Sequence, residues 1–169
     1  MKSKILYIVI AILLSLVTVK NAQAAELTSS ELESPFYHIK AQKVDRVDSL
    51  RAFFKSFDGP LEAYAETFVQ VADRYGLDYR LLPSIACLES SCGKFYIPDS
   101  NNPFGWGIYG NKVTKFATME DCIDAVGKGL SENYVKKGYD TVEKIAPIYN
   151  PPNPIKWAGN VNYFYNKIN

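Results

Sequence analysis

The chain has 169 residues, with 19 Lys and Arg against 18 Asp and Glu, one histidine and three cysteines. That near-neutral balance, without a basic block, gives no electrostatic support for a nucleic-acid partner. The lone His38 cannot supply the two or three imidazoles of a zinc amidase or peptidase, and it precedes every cysteine in a polar segment, poor ground for a Cys–His peptidase.

The start Met1-Lys-Ser-Lys4 precedes an uncharged apolar run from Ile5 to Val17, and Asn21-Ala-Gln-Ala24 supplies a small-x-small exit. Together they describe a secretory signal peptide over residues 1–24, cleaved after Ala24. An uncleaved anchor is the alternative, but the run is shorter than the roughly 20 residues that span a bilayer. The expectation is therefore a secreted or cell-envelope protein, periplasmic or extracellular, with no stable membrane association once the leader is gone. Cleavage leaves 145 residues, enough for one domain with one core. It also removes Lys2, Lys4 and Lys20, so 16 basic residues face 18 acidic ones.

Residues 25–45 are polar and mixed in charge and read as an N-terminal arm, leaving 46–169 as the domain proper. Val47, Leu50, Phe53, Phe54 and Phe57 recur at helical spacing until Asp58-Gly59-Pro60 breaks the pattern. Pro60 suits the first turn of a second helix, where a missing N–H costs little. Leu61, Tyr64, Ala65, Phe68, Val71, Ala72 and Tyr75 form its apolar stripe, and Gly76 is a natural stop. Asp78 can cap a third helix over about 79–91, stopped by Gly93. A long loop over 95–116, rich in Asn, Pro, Gly and aromatics, has room for a small hairpin. Thr118 caps a fourth helix with Met119, Ile123, Val126 and Leu130 on one face, closed by Gly138. Short helices over 142–149 and 157–168 complete a mainly α domain without internal repeats.

Export to an oxidising compartment allows one disulfide among Cys87, Cys92 and Cys122, and the odd count leaves one thiol free. Cys92 follows the third helix and Cys122 opens the fourth, so Cys92–Cys122 is the favoured pairing. Cys87, between Ala86 and Leu88, reads as a small core residue.

Glu89 is the residue that most clearly carries chemistry. If Gly93 ends the third helix, Glu89 lies in its last turn, facing the negative end of the helix dipole. Apolar neighbours add a desolvation cost, and both effects favour the protonated acid, the form that donates a proton to a leaving oxygen. An ordinary solvated helix-end glutamate is the competing reading. In Asn101-Asn-Pro-Phe-Gly-Trp-Gly-Ile-Tyr-Gly110, amides can bond sugar hydroxyls and N-acetyl groups, while Trp106 and Tyr109 can stack on ring faces. The same composition also fits a loop merely pinned by its aromatics.

Leu81-Leu-Pro-Ser-Ile-Ala-x-x-Glu-Ser-Ser-x-Gly-Lys94 followed by Asn101-Asn-Pro-Phe-Gly-Trp-Gly-Ile-Tyr109 resembles the lysozyme-like superfamily. The nearest branch is its bacterial endo-β-N-acetylglucosaminidases, which carry a mannosyl-glycoprotein endo-β-N-acetylglucosaminidase label and include flagellar wall-drilling enzymes. The likeness continues in order through Phe116-Ala-Thr-Met-Glu-Asp-Cys-Ile, Gly129-Leu-x-x-x-Tyr134, Gly138-Tyr-x-Thr141 and Ile145-Ala-Pro-Ile-Tyr-Asn-Pro-Pro152 to Trp157. It implies a lysozyme-like fold with Glu89 as the general acid. Asn102, Phe104, Gly105 and Trp106 match the loop that walls the sugar groove, and Ser90 and Tyr109 join them as candidate substrate contacts. Tyr149 matches a tyrosine that faces the acid and supports positive charge on the sugar; a buried tyrosine bonded to backbone is its other reading. Asp99, the only acid in the loop, matches no family position, so a second carboxylate has no obvious place.

The implied function is hydrolysis of β-1,4 bonds between N-acetylglucosamine and N-acetylmuramic acid in peptidoglycan glycan strands. A lytic transglycosylase on the same fold, or a non-catalytic glycan-binding or assembly protein, are the alternatives. No metal or organic cofactor is indicated, and a monomer is expected.

Overall fold

The computed structural model describes residues 35–169, so the expected leader (1–24) and the first part of the arm lie outside the described residues. Helix α1 spans Pro35–Ser56, reaching well upstream of the apolar spacing that begins at Val47. Lys40, Ala41 and Gln42 are good helix formers that add no apolar stripe, so periodicity passes over them although they are helical. The second half of the expected arm is thus helix. Residues 43–169 form one compact unit, and Pro35–Gln42 belongs to the unit before it.

Val47, Leu50, Phe53 and Phe54 are buried on α1, and a turn through Asp58 ends it. Pro60–Tyr64 is a separate 3-10 turn; α2, Ala65–Tyr75, follows and stops at Gly76 in the left-handed conformation. Helix α3, Leu81–Ser90, is shorter than its apolar pattern and has no side-chain cap. Asp78 binds just ahead of it instead, taking the Arg80 N–H at 3.0 Å and the Arg80 guanidinium at 2.9 and 2.7 Å. Thr118 caps α4, Met119–Asn133, by accepting from the Asp121 N–H at 3.1 Å. A 3-10 turn, Val135–Lys137, ends at left-handed Gly138. Thr141 caps α5, Val142–Tyr149, and α6 spans Pro154–Tyr165 with proline in its first turn.

Helix α3 packs on α2, α4 and α6, while α5 packs on α6. Leu82, Ile85, Ala86 and Cys87 are buried, as expected of a helix apolar nearly all round. Aromatic contacts join α1 to α2, with Phe54 and Phe68 ring centroids 5.4 Å apart. The protein is mainly α, and no strand occurs among the described residues. In the loop before α4 the expected hairpin shrinks to one antiparallel bridge between Tyr109 and Lys112. Among the described residues, no helix is long and apolar enough to cross a membrane.

The cysteine pairing differs from expectation. Cys87 is bonded to Cys92, and Cys122 is a free buried thiol. After α3, Ser91, Cys92 and Gly93 all have positive φ (52°, 61° and 88°), folding the chain back over the last helical turn. That reversal brings the Cα atoms of Cys87 and Cys92 to 3.7 Å. Only glycine fits at 93, because a Cβ there would lie 2.7 Å from the Leu61 side chain and φ is left-handed. Cys122 instead packs beside Asn102, with its sulfur 3.8 Å from Oδ1, and burial pushes its thiol pKa up to about 12.

Candidate active site

Glu89 occupies the last turn of α3, inside the covalent loop closed by Cys87 and Cys92. It opens onto a cleft of about 430 Å³ whose walls are Tyr134, Tyr149, Trp157 and the loop from Phe104 to Tyr109. Glu89 is solvent-accessible through the cleft, yet partial burial of its carboxyl raises the pKa above the ordinary glutamate value. A hydrogen bond from Trp157 Nε1 to Oε1, at 3.3 Å, opposes that rise. Glu89 is the only carboxylate in the cleft lining among the described residues. Asp99 is exposed with φ 58° and does not line it.

Tyr149 ends α5 at the centre of the aromatic wall. Its ring stacks on Trp157 at 4.6 Å and 27°, with Tyr134 at 6.2 Å and Trp106 at 6.4 Å. Burial first, then the nearby Glu89 charge, drive its hydroxyl pKa well above the usual phenol value. Tyr149 is therefore a neutral phenol, able to offer a dipole but not an anion.

Glu89, Tyr149, Phe104, Gly105, Trp106 and Tyr109 are brought together as cleft residues. Phe104 is buried and joins the wall to the core through Phe68, with ring centroids 6.3 Å apart. Tyr109 stands at the rim, 79% exposed. Ser90 and Asn102 are not brought to the cleft, which corrects their expected role as substrate contacts. Ser90 is buried; its hydroxyl donates to the Ala86 carbonyl at 2.7 Å and accepts from the Gly93 N–H at 2.9 Å. Buried Asn102 donates to the carbonyls of Trp106 (2.9 Å) and Thr114 (3.0 Å) and accepts from the Trp106 N–H (2.9 Å). Its amide is consumed in holding the loop, so it shapes the wall from behind.

Three contributors fall within the motifs that carry the resemblance, yet sequence reasoning assigned them no role. Trp157 could have been suspected, because a buried indole N–H needs an acceptor. Tyr134, just past α4, closes the Gly129-Leu-x-x-x-Tyr134 motif, which did not say that its ring faces the cleft. Gly129 makes room for Trp106: a Cβ there would sit 2.4 Å from the indole ring. Among the described residues, no three His, Cys, Asp or Glu side chains converge as a metal-holding group.

The site can therefore present one acid biased toward its protonated form, in an open cleft walled by aromatic faces and a neutral phenol. Neither protein-family models nor curated proteins give any match to this chain.

Proposed function

We propose that the protein is an exported peptidoglycan glycosidase with a lysozyme-like fold, cutting β-1,4 bonds between N-acetylglucosamine and N-acetylmuramic acid. The observation that carries this reading is the solitary Glu89 carboxyl, its pKa raised, in a cleft lined by Trp106, Tyr134, Tyr149 and Trp157. The substrate class comes from the resemblance of the ordered motifs to bacterial glucosaminidases. Protonated Glu89 gives its proton to the glycosidic oxygen as the bond to the anomeric carbon breaks. The Tyr149 oxygen dipole supports the positive charge developing on the ring.

A cleft whose lining, among the described residues, holds no second carboxylate suits attack by the substrate's own N-acetyl oxygen. Water then opens that intermediate, losing a proton to the Glu89 carboxylate, and the anomeric configuration is retained. The same absence favours a second reading, lytic transglycosylation, in which a muramic-acid hydroxyl attacks the anomeric carbon and returns its proton to Glu89.

Release of dye from labelled peptidoglycan by wild type and Glu89→Gln tests the proposal. A loss of about 10²–10⁴-fold in the variant is expected for a lost general acid. Equal, negligible release by both proteins, with both still binding the polymer, would instead indicate a glycan-binding or assembly protein.

A further inference from the structure

We infer that Trp157 is a positioning residue that sets both the orientation and the proton affinity of Glu89; this rests on the proposed function in assigning Glu89 its role. Trp157 is 4% exposed near the start of α6, while Glu89 ends α3, so the contact between them ties two packed helices together at the cleft. Its two faces of chemistry are used at once. The indole N–H donates to Glu89 Oε1 at 3.3 Å, and the ring stacks on Tyr149 at 4.6 Å. One side chain thereby fixes the spacing between the acid and the tyrosine.

The hydrogen bond has a defined electrostatic sign. Donation to a carboxylate oxygen favours the ionised form, so the indole restrains the rise in pKa that enclosure produces. Too high an affinity would make the acid a poor donor; too low would leave it ionised. Trp157 acts between those limits while holding the carboxyl in one orientation. Among the described residues that line the cleft with Glu89, the titratable side chains are the phenols of Tyr109, Tyr134 and Tyr149, and no cation is present to take over this role.

Trp157→Phe keeps an aromatic ring against Tyr149 and deletes the N–H. Two readouts are required. In a carbon-13 NMR titration of the Glu89 side-chain carboxyl, assigned with Glu89→Gln, the pKa is expected to rise by about half to one unit. In peptidoglycan digestion, the alkaline limb of kcat/KM should move up by the same amount. Maximal kcat should fall by about 3–30-fold as orientation is lost.

If Trp157→Phe fails to fold, site-specific 3-benzothienylalanine at position 157 keeps the indole shape without the N–H and serves the same test. An unchanged Glu89 titration, whatever the activity, overturns the inference and leaves Trp157 a packing residue. A shifted titration in a protein whose wild type cuts no glycan supports the inference and overturns the proposed function instead.

Discussion

The two ends of α3 hold similar ingredients with opposite outcomes. Before its first turn, Asp78 meets Arg80 and Tyr165; in its last turn, Glu89 meets Trp157 and Tyr149. Burial raises the proton affinity of both acids. At Asp78, hydrogen bonds from Arg80 and Tyr165 together with the guanidinium charge outweigh it and bring the pKa down to about 2. At Glu89 only a neutral indole N–H opposes it, and the pKa stays above the ordinary value. The helix dipole acts in the same sense at each end, favouring an anion at the start and a neutral acid at the finish. A cation within reach makes the first site an ion pair, whereas among the described residues that line the cleft none stands beside Glu89, and its carboxyl keeps a raised proton affinity.

Activity should separate the two ends most sharply. Asp78→Asn is expected to leave glycan cleavage within about twofold of wild type, against the roughly 10²–10⁴-fold loss for Glu89→Gln. Parallel losses in a dye-release assay would show that Asp78 supports the cleft and that the contrast is misdrawn.

The next largest effect falls on the wall opposite Glu89. Asn102→Ala strands the Trp106 N–H and two carbonyls that the amide now serves. A loss of about 1–3 kcal/mol in urea unfolding is expected, with KM rising more than kcat falls. Unchanged stability would mean the loop holds its shape without that amide.

Smaller shifts should appear in stability against pH, with opposite signs at the two ends. Asp78 has a lowered folded-state pKa, so its contribution is present above about pH 4 and fades as pH falls toward 2. Both partners are more than a third exposed on average, so Asp78→Asn should cost less than about 1 kcal/mol at pH 7, and the difference from wild type should close in acid. Glu89 has a raised folded-state pKa, so its contribution is present at low pH and is lost as pH rises through that value. Glu89→Gln should therefore gain thermal stability relative to wild type between about pH 4 and neutrality. Thermal melts of both variants across that range check the two signs together.

Local signals explain which parts of this arrangement were legible in the sequence. Thr118 announces α4 because a hydroxyl cap acts within three residues of itself, and Thr141 caps α5 in the same way although the sequence did not single it out as a cap. Glu89 was visible as a helix-end acid, and Trp106, Tyr109 and Tyr149 as companions through the resemblance that the ordered motifs suggest. The Cys87–Cys92 bond was not visible, because it depends on non-glycine residues Ser91 and Cys92 adopting left-handed backbone, which composition does not mark. Asn102 was noticed for its chemistry, but sequence does not say whether an amide faces a ligand or its own loop. Trp157 lies 68 residues from Glu89 and meets it only through the packing of α6 on α3.

The most direct test of the central claim is mass spectrometry of the soluble products from purified peptidoglycan incubated with wild type and with Glu89→Gln. Glycosidic cleavage predicts muropeptides with new N-acetylglucosamine reducing ends from the wild type alone. Products lighter by one water, ending in anhydro-muramic acid, would select the lytic reading while keeping Glu89 as the acid. Fragments cut only within the peptide stems, or the same muropeptides from both proteins, would contradict a glycosidase that works through Glu89.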